Sequence, residues 1–187
     1  NIPEIKKLKE KGFWHIKEDE IDKKYYQDLL NDIELLKSLK DKWQKVLNKN
    51  FVDPKFEKFE ERIKMELSRA DNRKLLVFTE FADTADYLFN KLKNKNYNVF
   101  KYTSKQGSQK ENKKILKEEF DASSEKQKNN FRILIATDAI AEGYNLNRAG
   151  TIINYDIPYN PTKVIQRVGR INRINKKVYD EIFIYNF

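Results

Sequence analysis

No cysteine occurs in the 187 residues, and there is a single histidine, His15. The first absence excludes a disulfide framework and thiolate chemistry, and the second leaves little material for a histidine-rich metal site. His15, beside Trp14, reads as an ordinary helix or interface residue. No run approaches the roughly eighteen apolar residues that would span a bilayer as a helix, and no charged, apolar and small-residue succession suggests a signal peptide. The chain is therefore expected to be soluble and cytoplasmic. Glycine is scarce: the five, at positions 12, 107, 143, 150 and 169, are never spaced as GxxxxGKS or GxxxxGKT, so this chain cannot build a phosphate loop. No GxGxxG turn follows a predicted strand, no acidic DExx strand offers a magnesium site, and there is no internal repeat.

Charge is abundant by contrast, with 38 lysines and arginines against 29 acids and a net charge of +9. That balance favours anionic partners, because nucleic-acid binding depends on neutralising phosphates. Lysine, asparagine, isoleucine and tyrosine are all frequent together, however, a bias that base composition also produces. Many lysines simply solvate helix faces.

Apolar residues recur at helical spacing from Ile21 through Tyr25, Leu29, Ile33, Leu36, Leu39 and Trp43 to Leu47. Asp53-Pro54 makes an N-cap and a first-turn proline, and Phe56, Phe59, Ile63 and Leu67 continue a second amphipathic helix. Residues 1–70 thus read as a helical extension that links and braces, and residues 71–187 as the main domain. After Arg73 the pattern changes. Leu75 to Phe78, Tyr97 to Tyr102, Arg132 to Ala136, Thr151 to Asn154 and Glu181 to Tyr185 read as strands, with helices at Thr84 to Leu92, Lys110 to Phe120 and Pro161 to Arg170. Such alternation implies an α/β fold with a mostly parallel sheet and helices on both faces. The lysine- and serine-rich stretch Ala122 to Asn130 is expected to be a mobile surface loop.

Three of the eight arginines fall in one short run, Gln166-Arg167-Val168-Gly169-Arg170-Ile171-Asn172-Arg173. Planar guanidinium forks bind two phosphate oxygens at once, whereas lysine offers a hydrated point charge. On a helix beginning near Pro161, Gln166, Arg170 and Arg173 share a face and can converge on one anionic ligand.

This run, with Thr137-Asp138-Ala139-Ile140-Ala141-Glu142-Gly143-Tyr144-Asn145-Leu146 and Ile152-Ile153-Asn154-Tyr155-Asp156-Ile157-Pro158, resembles motifs V, Va and VI of superfamily 2 helicases and translocases. Leu75-Leu76-Val77-Phe78-Thr79-Glu80-Phe81 resembles motif IV. The likeness runs from about Asp53 to Phe187 and is nearest to the branch of chromatin remodellers and bacterial RNA-polymerase-recycling ATPases, in which Asp53-Pro54-Lys55-Phe56 has a counterpart.

The resemblance implies a RecA-like C-terminal helicase domain, the second of two motor domains, with ATP and magnesium held mainly by a first one. It implies arginine fingers at Arg170 and Arg173, with Gln166, Glu142 and Gly143 near the ATP, and nucleic-acid backbone contacts at Thr79, Thr103, Ser104 and Thr137. Asp138 and Asn145 are implied to couple the two sites, and duplex DNA is favoured over RNA. Each residue also has a plainer reading. Thr79 can cap the helix near Asp83, Asp138 can cap the short helix it opens, Gly143 can be a helix C-cap, and Asn145 suits a turn. Lys113 stands where relatives often carry arginine, and reads as a solvated helix residue. The alternative at the level of the whole chain is a RecA-like module that binds nucleic acid or protein without ATP.

Overall fold

The computed structural model describes residues 10–12, 17, 21–47, 51–69, 72–103, 109–140, 143–172 and 178–187. His15, Ser104, Glu142 and Arg173 lie outside the described residues. The chain divides into two units, Asn1–Val52 and Asp53–Phe187. In the first, helix α1 (Lys23–Leu47) follows the expected periodicity and opens on Asp22, whose carboxylate accepts from the Lys24 amide at 2.8 Å. Among the described residues no helix is long and apolar enough to cross a membrane.

The second unit begins with α2 (Pro54–Leu67). Asp53 caps it, accepting from the amides of Lys55 and Phe56 at 2.9 and 3.2 Å, and Pro54 at the first position needs no amide partner. Phe56, Phe59 and Ile63 recur at helical spacing and are buried, as is Glu66. The Glu66 carboxylate accepts from the hydroxyls of Thr151 at 2.8 Å and Tyr185 at 2.9 Å. This helix is therefore built into the α/β unit.

Five strands follow: β1 (Lys74–Phe78), β2 (Val99–Tyr102), β3 (Ile133–Ala136), β4 (Ala149–Asn154) and β5 (Phe183–Asn186), interleaved with α3 (Ala82–Asn94), α4 (Gln109–Phe120) and α5 (Pro161–Val168). They form one sheet in the order β2-β3-β1-β4-β5, and every pairing is parallel. Strands β1, β3 and β4 are buried along their whole length, which is why residues 75–78 and 133–136 read as continuous apolar runs. Alternation then sorts their side chains between two cores. Leu75, Val77, Ile133, Ile135 and Ile153 meet α2 and α3 on one face. Leu76, Phe78, Leu134, Ala136 and Ile152 meet Leu116 and Phe120 of α4, with Ile140, Leu146 and Ile171, on the other.

Most element boundaries shift by one or two residues from expectation, and three of the shifts have visible consequences. Strand β2 begins at Val99 rather than Tyr97, because the chain turns through Asn96 at a φ of 61°. Strand β5 starts at Phe183. Helix α5 stops at Val168, with Gly169 at its C-cap. The expected mobile loop is at the surface but tied down: Arg148 Nη1 donates to the carbonyls of Glu118, Glu119 and Lys128 at 2.9–3.1 Å. Buried Glu119 accepts from the amides of Asn130 and Phe131. Polar composition marks a loop without revealing such anchors.

The chain leaves β1 through α3 toward the β2 edge, and leaves β4 through α5 toward β5. The crevice between the carboxyl ends of β1 and β4 is thus the topological switch point, where ligands of open α/β sheets gather.

Candidate functional site

Thr79, Thr103 and Thr137 each follow the last residue of a strand. Register pairs Phe78 with Ala136 and Tyr102 with Ala136, so these three threonines stand side by side at one level of the carboxyl edge. The ladder continues into them, the Thr79 amide donating to the Ala136 carbonyl at 3.1 Å and the Thr137 amide to the Tyr102 carbonyl at 3.4 Å. All three are buried. Thr79 is not the N-cap of α3, which is Phe81 without a side-chain cap bond, and its Oγ1 makes only a long contact to that start, accepting from the Phe81 amide at 3.4 Å. The Thr79 hydroxyl instead pairs with the Asp156 carboxylate across the switch point, and that carboxylate also takes Lys55 Nζ at 3.4 Å. The start of α2 is thereby joined to the ends of β1 and β4.

Asp138 opens a 3₁₀ turn, Asp138–Ile140, directly after Thr137. Its carboxylate accepts from Arg167 Nε at 2.8 Å and stands 3.3 Å from Lys163 Nζ, which also reaches Glu80 at 2.9 Å. These two hydrogen bonds raise the Lys163 pKa above its ordinary value. Arg167, which points away from the expected ligand face, is wholly buried. Its Nη1 donates to Asn154 Oδ1 at 2.8 Å and toward the Asp156 carbonyl at 3.5 Å, and its guanidinium lies 4.9 Å from the Phe78 ring centroid. Arg167 is a clamp between the 3₁₀ turn, β4 and α5. The sequence signal for it was its place in the arginine run, but nothing in that run separates a buried arginine from an accessible one. Asp138 holds Arg167 through its carboxylate, whereas Asp156 offers Arg167 only its carbonyl.

Gln166 is exposed on α5, whereas Arg170 lies in the turn beyond the helix end, so the two are not on one continuous helical face. The turn is held at both ends. The Arg170 amide donates to the Arg167 carbonyl at 3.2 Å, and the Arg170 carbonyl accepts from the Leu146 amide at 3.1 Å. Gly143 sits at a φ of +94° with open space where a Cβ would stand, so backbone conformation, not close packing, is what calls for glycine there. Tyr144 and Tyr102 hydroxyls are 3.2 Å apart, and burial followed by that hydrogen bond pushes the Tyr144 hydroxyl up to about 12.

Three buried polar atoms in this region have no hydrogen-bond partner among the described residues: Asn145 Oδ1, Arg167 Nη2 and Arg170 Nε. Unpartnered buried donors are uncommon and call for an explanation. A phosphate is a suitable acceptor for a guanidinium, so Arg170 fits a nucleotide ligand. Among the described residues, no group of three acidic or histidine side chains can hold a metal ion. Lys113 is exposed on α4, as expected of a solvated helix residue.

Residues 55–175 match the helicase conserved C-terminal domain family. The chain belongs to that family. It is 31% identical over 122 residues to an uncharacterised ATP-dependent helicase, YqhH of Bacillus subtilis, covering 65% of this chain and 20% of that protein. It is 34% identical over 102 residues to the ATP-dependent RNA helicase eIF4A of Scheffersomyces stipitis, covering 54% of this chain and 24% of the relative. Among solved structures, the C-terminal part of the Fun30 ATPase domain superposes with a TM-score of 0.59 at 22% identity, over 88% of this chain and 53% of that one. The fold is thus that of superfamily 2 helicase C-terminal domains. The chain spans about a quarter or less of the curated relatives' length. Because a relative named as an RNA helicase stands beside a bacterial helicase of unstated substrate, the preference for duplex DNA over RNA gains no support.

Proposed function

We propose that this chain is the second motor domain of an ATP-dependent nucleic-acid helicase or translocase, and that Arg170 and Arg173 act on ATP held with its magnesium by a first RecA-like domain. The observation that carries this reading is Arg170 Nε, buried without a partner among the described residues in a turn fixed by Leu146 and Arg167. A positioned guanidinium with an unused donor fits a phosphate brought from outside this domain better than it fits a surface ion pair. ATP, when bound, supplies a phosphoryl group on which negative charge is redistributed during hydrolysis, and a finger on that group is worth roughly three to five powers of ten in rate. In this reading Gln166, Glu142 and Gly143 act near the ATP.

Thr103 and Thr137, aligned at the sheet's carboxyl edge, and Ser104, the next residue in the sequence, would offer hydroxyls to a nucleic-acid backbone. Thr79 supports that edge through Asp156. Such contacts position a strand without reading its bases, and they do not distinguish DNA from RNA. Asp138, through Arg167 and Lys163, and Asn145, next to the Leu146 amide that holds Arg170, connect the nucleic-acid edge to the arginine turn.

The test is nucleic-acid-stimulated ATP hydrolysis by the full-length parent, comparing Arg170→Ala and Arg173→Ala with the unchanged protein and measuring ATP binding alongside. Hydrolysis should fall far more than binding. Unchanged hydrolysis in both folded variants would sink the finger assignment and favour a RecA-like module that binds without ATP.

A further inference from the structure

Strand β2 stands at one end of the sheet and pairs only with β3 among the described residues. The carbonyl of Asn98 accepts from the Arg132 and Ile133 amides, and that of Tyr102 from the Thr137 amide. Positions 98, 100 and 102 therefore turn their main-chain groups toward β3. By alternation, Val99 and Lys101 turn theirs outward. The Val99 amide is taken by the Tyr97 carbonyl at 3.0 Å, which leaves the Val99 carbonyl and both main-chain groups of Lys101 at the open edge.

A cleft of about 340 Å³ runs along this edge, lined among others by Phe89, Lys93, Tyr97, Phe100, Lys101 and Phe131. The two sides of the edge differ in chemistry. Phe100 and Phe131, with ring centroids 5.3 Å apart, belong to the α4 side of the sheet. Phe89, Lys93 and Lys101 lie on the α3 side, where Lys93 is 5.7 Å and Lys101 5.1 Å from the Phe89 ring centroid. An unpaired strand edge is a template for another strand, and natural proteins usually blunt it. Here it is flanked by aromatic rings and lysine.

We propose that the β2 edge is a docking site for an extended acidic segment of a partner protein, which adds a sixth strand beside β2. Side chains of an added strand alternate between the faces. Apolar residues of the segment would meet Phe100 and Phe131, and a carboxylate would meet Lys93 on the opposite face. Lys101 already pairs with Asp86, so the edge carries too little uncompensated positive charge to track a phosphate backbone, whereas one carboxylate suits Lys93. The site lies along the sheet's side edge and does not depend on the motor-domain reading.

The test uses the 187-residue chain and a fluorescein-labelled peptide, Glu-Val-Glu-Phe-Glu-Val-Glu, followed by fluorescence anisotropy. Two N-methylated forms of the peptide block alternate amides. Because only one set of amides faces β2, one methylated form should lose roughly tenfold or more in affinity while the other binds nearly as the parent does. Lys93→Glu, on an exposed helix position, should weaken the parent peptide by about tenfold with circular dichroism unchanged. Three results would each overturn the proposal: no saturable binding, equal loss from both methylation patterns, or tighter Lys93-dependent binding of oligothymidylate, which would make the groove a nucleic-acid platform.

Discussion

Replacing Arg167 by methionine keeps much of the side-chain volume and removes the guanidinium, so its effect isolates the clamp. Asn154 is wholly buried, and its Oδ1 would lose the donor 2.8 Å away, a loss of about 1–3 kcal/mol. Contact with the Phe78 ring adds about 1 kcal/mol. Asp138 suffers less: its side chain is 24% exposed and Lys163 remains 3.3 Å away, so this ion pair contributes under about 1 kcal/mol. Part of the total is offset because Nη2 is no longer buried without an acceptor. The expected destabilisation is about 2–4 kcal/mol. Asp138→Ala should be at least as harmful, about 3–5 kcal/mol, because it leaves a fully buried cation without its counter-charge. The double variant should fall short of the sum by about 1 kcal/mol or more, since removing the cation relieves the second defect. Both tryptophans, Trp14 and Trp43, lie in the other unit, so tryptophan fluorescence would report on the wrong part of the chain. Hydrogen exchange of the β1 and β4 amides is the suitable assay. A loss under about 1 kcal/mol for Arg167→Met, or strict additivity in the cycle, would refute the clamp.

Two further predictions concern buried charges and tyrosines. Lys74 and Glu119 form a buried ion pair at 2.8 Å, where burial lowers the lysine pKa against the opposing pull of the carboxylate. Glu119→Gln should destabilise the unit by about 3 kcal/mol in urea titrations followed by strand-amide exchange, and a loss below about 1 kcal/mol would show that the pair is not needed. Burial, then the charge and hydrogen bond of Glu60, pushes the Tyr97 hydroxyl up to about 12, and burial with the nearby Asp53 and Asp156 charges does the same for Tyr155. A folded-state pKa above the unfolded value of 10.0 means these phenols support stability fully below pH 10 and lose that contribution as pH rises toward 12. Ultraviolet titration should show a late-ionising tyrosine class and a parallel fall in unfolding free energy; Tyr97→Phe should lessen that fall, and an unchanged profile would count against the assignment.

Much of the fold was legible because periodicity survives folding. The apolar runs of β1, β3 and β4 mark strands buried on both faces, and the 3.6-residue spacing of Phe56, Phe59 and Ile63 marks a helix with one buried side. The Asp53-Pro54 cap acted as local chemistry dictates, since a carboxylate two residues before an open amide needs no distant partner. Expectation failed where distant groups decide. The loop at Ala122 to Asn130 is tied down by Arg148 and Glu119, neither of which lies within it, and the helix carrying Gln166 stops before Arg170.

The sequence by itself therefore determined the α/β class, the order of elements and the arginine-rich segment, because each depends on spacing along the chain. Only the tertiary structure decided where Arg167, Arg170 and the three threonines are placed. It placed Thr79, Thr103 and Thr137 at one level of the sheet edge through strand register. It buried Arg167 against Asp138 and Asn154 while leaving Arg170 with an unused donor. Burial and hydrogen-bond partnership arise between residues remote in sequence, and one-dimensional spacing carries no record of them.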